Sequence, residues 1–200
     1  MMGITHVWVG TMAAVLMTKP ATPKDCFAAL IGGSLGGIIC DIDIGTRGRL
    51  TDTNRARKIA GAMTLTCLLA DAYFGGGLMA GIRGTSRGRL SAGLIGLLLL
   101  CLWGRKQPHR GGVHSLLALL LFSGCVELLC SALARPFMIA MASHLVLDVL
   151  NCGSVRLLYP LQMRWSLGLC RTGGYADRCL RMIGVAGTLL GIGIAIGHFR

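Results

Sequence analysis

Residues 113–134 read VHSLLALLLFSGCVELLCSALA, twenty-two positions with one acid, Glu127, and no lysine or arginine. A run of that length and polarity falls in the range of roughly 17–25 apolar residues that a helix needs to cross a bilayer. Six further apolar segments lie on either side of it, at about 4–18, 26–40, 59–82, 90–103, 136–150 and 182–198. Of these, 59–82 and 182–198 also have spanning length. The other four are near 15 residues, which as helix is only about 22 Å. They are expected to extend into their flanks, tilt, or stop partway in a protein-lined cavity, because irregular backbone at membrane depth is tolerated only where protein or water satisfies it. The expected fold is therefore all-α: a polytopic membrane bundle of about six to seven short helices, forming one domain over 1–200.

Composition agrees. The 200 residues are 54% hydrophobic and 14% charged, with a mean hydropathy of +0.67, whereas a soluble domain carries roughly 25% charged residues to solvate its surface. The thirty glycines fall in patterns such as Gly32-Gly33-x-x-Gly36-Gly37, Gly75-Gly76-Gly77 and Gly187-x-x-x-Gly191-x-Gly193. In a membrane such small residues let helix backbones approach closely. None follows a strand with nucleotide-site spacing. Nine cysteines include no Cys-x-x-Cys pair, and several lie inside apolar runs as small hydrophobes. The amino-terminal segment has no basic region ahead of its apolar stretch and reads as mature protein.

The net charge of +12 does not point to nucleic acid, because the basic residues cluster between apolar runs, as topology signals do. With the amino terminus in the cytoplasm and seven alternating segments, thirteen Lys and Arg fall on the cytoplasmic side. These are Arg47, Arg49, Arg55, Arg57, Lys58, Arg105, Lys106, Arg110, Arg156, Arg164, Arg171, Arg178 and Arg181. Seven (Lys19, Lys24, Arg83, Arg87, Arg89, Arg135 and Arg200) fall opposite. The excess favours this orientation.

Charged and imidazole groups are costly in apolar surroundings, so each one near a helix needs a reason. Most gather in four groups: Thr5-His6, Asp41-x-Asp43, His109-Arg110-Gly111-Gly112-Val113-His114-Ser115 and Ser143-His144-x-x-x-Asp148. In the alternating topology His6, Asp41, Asp43, His109, His114, His144 and Asp148 all reach one membrane face, the cytoplasmic one. His144 and Asp148 share a helix face. At a helix-to-loop transition, an extended backbone can direct Asp41 and Asp43 inward together or split them between ligand and supporting roles. A Gly-Gly turn lets His109 and His114 approach one centre. Four imidazoles and three carboxylates without a thiolate suit a divalent metal, zinc or manganese. Seven candidates exceed the three or four protein ligands of one catalytic zinc, so one or two ions are expected. The plainer alternatives are an interfacial His6, an intrahelical His144–Asp148 hydrogen bond and a capping role for Asp41-x-Asp43. Asp71 and Glu127 are expected as interhelical hydrogen-bond partners, and His198 as an interfacial residue.

These four groups, in this order, resemble the LexA-regulated inner-membrane family of bacterial proteins assigned as metal-dependent hydrolases. The resemblance extends to Tyr159-Pro160-Leu161 and Arg171-Thr172-Gly173-Gly174 and covers nearly the whole chain. Cys40, Val113 and Asp177 stand where the family often has Pro, Thr and Glu. The resemblance implies a metal-dependent hydrolase of the bacterial inner membrane. A more distant similarity to zinc-dependent phospholipase C and P1-type nucleases implies a phosphoester substrate.

The expected function is thus metal-assisted hydrolysis of an ester or phosphoester, with Asp43 and Arg110 as catalytic candidates, and Arg110 gripping an anionic substrate. The plainer role for Arg110 is a topology-setting surface charge. Ser115 is a candidate for orienting a ligand. The expected partners are the lipid bilayer and a lipid or lipid-linked phosphoester, with no nucleic acid. The rivals are an ion or solute transporter, whose site would lie near the bilayer midplane, and a membrane protein with a structural metal. A lipid phosphate phosphatase is set aside because the chain lacks Pro-Ser-Gly-His.

Overall fold

The computed structural model describes residues 1–44 and 50–199, so Arg47, Arg49 and Arg200 of the topology count lie outside the described residues. Eight α-helices are described: α1 (Gly3–Thr18), α2 (Pro23–Ile39), α3 (Leu50–Tyr73), α4 (Gly77–Arg83), α5 (Arg87–Arg105), α6 (Leu116–Leu129), α7 (Ser131–Leu150) and α8 (Tyr175–His198). Two 3-10 turns are also described, Cys40–Asp43 at the end of α2 and Gly112–His114 ahead of α6. Among the described residues the only strand-like features are two isolated bridges, Asn151 with Cys170 and Val155 with Trp165. Four elements are long and apolar enough to cross a membrane: Pro23–Asp43, Arg87–Arg105, Ser131–Leu150 and Tyr175–His198.

Local chemistry sets the boundaries. Thr22 caps α2 by accepting a hydrogen bond from the Asp25 amide at 3.2 Å, with Pro23 opening the helix. Ser86 caps α5 and Ser115 caps α6, accepting from the Arg89 and Ala118 amides. The short segments 90–103 and 136–150 do extend into their flanks, to 19 and 20 residues.

Two expected spans are broken. Segment 59–82 is α3 followed by α4, bent by 94°. The turn uses Gly75 and Gly76 at φ 101° and 67°, a conformation open to glycine. This triplet is a turn, not a helix-packing surface. Asp71 is the interhelical partner expected, accepting from the Leu78 and Met79 amides that open α4. The stretch 113–134 is likewise discontinuous. Ser115 ends the 3-10 turn and caps α6, while Cys130, at φ −159°, separates α6 from α7. Consequently α6 is a shorter apolar helix of 14 residues, and Arg135 and Pro136 lie inside α7.

Helix α2 packs against α1, α3 and α7, and its glycines make that possible. A Cβ on Gly33 would lie 2.7 Å from Thr11 Cα, and one on Gly37 would lie 2.7 Å from the His6 carbonyl. On the other side, Gly32 and Gly36 abut the backbone of α7 around Phe137. Gly184, Gly187 and Gly191 bring α8 onto Trp8, Met12 and Val15 of α1, whereas Gly193 faces nothing. Small residues form the contacts while Leu94, Leu98, Leu99, Leu189, Leu190 and Ile194 project outward, the distribution expected of helices packed in lipid.

Candidate metal centre

The four sequence groups converge at one end of the bundle. His6 comes from the first turns of α1, Asp41 and Asp43 from the 3-10 turn that ends α2, and His144 and Asp148 from the last turns of α7. His109 and His114 come from the segment joining α5 to α6. Six of the seven are buried; His109 is about half exposed at the mouth.

Backbone chemistry fixes these positions. Close packing of α1 on Gly37 sets His6 beside His144, their rings stacked with centroids 3.7 Å apart and planes 15° from parallel. His144 Nδ1 lies 2.8 Å from the Gly37 carbonyl oxygen. Since that oxygen only accepts, Nδ1 carries the proton and Nε2 keeps the lone pair. The turn bearing the two aspartates is 3-10, not extended, and Arg57 Nη2 donates to the Asp41 carbonyl at 2.9 Å. In a 3-10 turn, side chains two apart diverge by about 120°, so the two carboxylates approach His114 at different nitrogens, Asp41 also facing His144 and Asp43 also facing His109.

The distances fall into two classes. Asp43 accepts from His109 Nδ1 at 2.9 Å and from the Arg110 amide at 3.0 Å, and stands 3.1 Å from His114 Nδ1, which makes no hydrogen bond. Around Asp41 and Asp148 the spacings to the imidazoles are wider, although Asp148 Oδ1 also accepts from Arg110 Nη2 at 3.0 Å and from the buried Met1 ammonium at 3.3 Å. Asp148 is 3.5 Å from His6 Nε2, 3.6 Å from His144 Nε2 and 3.3 Å from His114 Nε2. Asp41 is 3.8 Å from His144 Nε2 and 4.0 Å from His114 Nε2. The Nε2 atoms of His114 and His144 are buried without a hydrogen-bond partner.

The wider class is too long for good hydrogen bonds, but it suits ligands of a shared ion. Two donors each about 2.1 Å from a tetrahedral metal lie roughly 3.4 Å apart. Three triads could each hold an ion: His6–His144–Asp148, Asp41–His114–His144 and Asp43–His109–His114. They are not three independent sites, because neutral His144 and His114 each have one lone pair to give. The donor set therefore fits a divalent ion, with the triads His6–His144–Asp148 and Asp41–His114–His144 joined through His144.

His114 lies between α5 and α6. Burial disfavours its charged form, yet Asp148 and Asp43 beside it more than reverse that and hold its pKa up, at about 10. The carboxylates thus strongly favour a cation among them.

Arg110 sits at the mouth in the left-handed region, φ 61°, uncommon for a non-glycine residue and often found at functional positions. Its Nη2 donates to Asp148 at 3.0 Å. The guanidinium lies directly over Gly153, where a Cβ would overlap Nη1. A cavity of about 20 Å³, room for roughly one water or ion, is lined by His6, Asp41, Asp148, His109, Arg110 and Asp52 among others.

Ser115 Oγ donates to the Gly112 carbonyl as it caps α6 and makes no hydrogen bond to a candidate ligand. His198 is a helix-end residue whose Nδ1 lies 2.7 Å from the Ile194 carbonyl of its own helix. Glu127 lies 3.9 Å from Arg89 across α5 and α6. Two acids that build the site's frame were not singled out by their spacing. Asp52 accepts from the Gly3 amide at 2.6 Å. Asp177 accepts from the Met2 amide at 3.1 Å and the Gly173 amide at 2.6 Å. Both hold the start of α1, and with it His6; Asp177 entered the sequence reading only through the family resemblance.

The model of the family described as YdjM inner membrane protein matches residues 1–196. No curated protein and no solved structure matches the chain.

Proposed function

The chain belongs to the YdjM inner membrane protein family, and from that premise we propose that it is a membrane-embedded metal-dependent hydrolase acting on an ester or phosphoester. One observation carries the reading: buried Nε2 atoms of His114 and His144 have no hydrogen-bond partner and stand 3.3–4.0 Å from the Asp41 and Asp148 carboxylates. That spacing favours a shared ion over direct hydrogen bonding. Zinc or manganese suits imidazole and carboxylate donors.

A bound divalent ion would acidify water and polarise the scissile group's oxygen. The protein's own groups have distinct tasks around it. Asp43 accepts from His109 and the Arg110 amide and faces His114 Nδ1, so it orients the imidazoles while the other five residues supply ligands. His109, partly open to solvent and aligned by Asp43, is placed to carry a proton between the site and bulk water. Arg110 binds the substrate anion, exchanging its contact with Asp148 for one to a phosphate or carboxylate. The remaining wall is buried, which keeps bulk water to the mouth.

The ligands gather at helix ends, which favours an enzyme at a membrane face over a carrier with a midplane site. The basic excess on the same side favours a cytoplasmic location for that face. The substrate would then be a phosphoester presented at the bilayer surface, a lipid or a lipid-linked compound.

The test is turnover by purified protein loaded with zinc or manganese, using p-nitrophenyl phosphate and a panel of phospholipids. Metal-dependent release, with Arg110→Ala raising KM roughly tenfold or more through loss of a charge-assisted contact, supports the reading. Stoichiometric metal without turnover on any ester or phosphoester would assign the centre a structural role.

A further inference from the structure

Between α7 and α8 the chain makes a non-helical excursion, residues 151–174, that the metal centre does not account for. Its backbone is firmly tied. The Leu167 amide donates to the Val149 carbonyl at 2.7 Å, the Leu169 amide to Leu150 at 2.9 Å, and Val155 and Trp165 exchange two hydrogen bonds at 2.9 Å. It also joins the mouth of the site, since the Leu116 amide donates to the Leu157 carbonyl and Tyr159 packs on Trp103.

Its side chains are distributed the wrong way for water. Leu161, Met163, Trp165 and Leu167 alternate with Gln162, Arg164 and Ser166, a pattern that in extended backbone puts apolar groups on one side. All four are exposed, Leu167 at 61%, and Leu169 beyond them at 71%. Residues 149–176 contain Arg156, Arg164 and Arg171 and no acid. The excursion leaves and re-enters the bundle at the ends of two membrane-spanning candidates, and Met182 and Ile183 in the early turns of α8 are exposed as well.

We propose that the 155–171 hairpin lies in the bilayer interface, its apolar side chains seated at the acyl boundary and its arginines on anionic lipid headgroups. Non-helical backbone is too costly for the hydrocarbon core, while tryptophan and arginine are at home at headgroup level. Each arginine there gains about 1 kcal/mol against anionic lipid. The hairpin would set the headgroup plane level with Arg110 and the site mouth. The inference rests on exposure and charge alone and stands whether or not the centre hydrolyses anything.

The test compares wild-type and Trp165→Phe protein in nanodiscs, the difference in emission isolating Trp165 from Trp8 and Trp103. The lipids carry bromine either near the carbonyl end or near the middle of the acyl chain, in phosphatidylglycerol or phosphatidylcholine. The Trp165 signal is expected to be quenched roughly twofold more by bromine near the carbonyls than by mid-chain bromine, as for an interfacial tryptophan. It is expected to resist aqueous acrylamide, and the lipid quenching should weaken in phosphatidylcholine. Quenching by acrylamide but not by bromolipid would put the hairpin in water and overturn the proposal. Quenching by neither would mean that protein, such as a second copy, covers it, and would also overturn it. Equal quenching in both lipids would remove the anionic headgroup from the account.

Discussion

Asp41 and Asp43 are two residues apart in a single 3-10 turn and do different work. Asp43 makes hydrogen bonds at 2.9–3.0 Å, whereas Asp41 stands 3.8–4.0 Å from two imidazoles. Asp43→Asn is therefore expected to weaken zinc affinity about 10–100-fold, the usual effect of losing a supporting carboxylate, while still reaching full stoichiometry at saturating metal. Asp148→Asn should abolish stoichiometric binding. Isothermal titration of both variants distinguishes the roles, and equal losses would contradict the division. His114 supplies a second test. Its folded pKa, about 10, exceeds the ordinary imidazole value of about 6.5, so without metal it stabilises the fold below about pH 6.5 and loses that contribution as pH rises through about 10. A metal must displace this proton, so apparent zinc affinity should rise by up to about tenfold per pH unit per proton between roughly pH 6 and 8. A flat profile would mean that His114 is not a ligand. The seven imidazoles and carboxylates that converge there were legible in the sequence, because each is expensive in an apolar chain. Asp52 and Gly153 were not, since one acts by accepting a backbone amide and the other by having no side chain under Arg110.

Helix α2 shows how elements as a whole position the ligands. Its glycines bring the backbones of α1 and α7 within reach, and His6 and His144 meet over Gly37. A Cβ on Gly36 would collide with the Phe137 carbonyl and lie 3.0 Å from Ala140 Cβ. Gly36→Ala is thus expected to destabilise the bundle by about 1–3 kcal/mol through overpacking. Gly61→Ala, at a position in α3 with nothing within 4 Å, should be neutral or stabilising by up to ~1 kcal/mol. Thermal unfolding in detergent compares the two, and a more stable Gly36→Ala protein would contradict the close packing. The apolar runs predicted that helices exist more reliably than where they break. Hydropathy is blind to the backbone turn at Gly75–Gly76 and to the Ser115 cap, both of which interrupt runs of uniformly apolar composition. Hydropathy left 151–181 between two segments, and the structure agrees that 151–174 is not helical, but its paired backbone was not legible from apolar content.

At the scale of the whole molecule, the protein is arranged inside out relative to a soluble one. Glycine and alanine make the closest helix contacts, many leucines and isoleucines of α5, α6 and α8 face outward, and the buried polar groups concentrate at one end. That arrangement places a carboxylate-rich cavity at the end of a membrane bundle, beside an arginine-rich hairpin. The alternating pattern of segments anticipated this shared end, because helices that cross in turn deliver the ends of α2 and α7 and the starts of α1 and α6 to the same side. The central claim, that the triads joined through His144 hold a divalent ion, is tested most directly by elemental mass spectrometry of the detergent-purified protein. Wild type and a His144→Ala, Asp148→Ala double variant would be compared, with circular dichroism confirming that both remain helical. About one equivalent of zinc or manganese in the wild type, lost in the helical double variant, is the predicted result. A wild-type protein that takes up neither metal after reconstitution would contradict it.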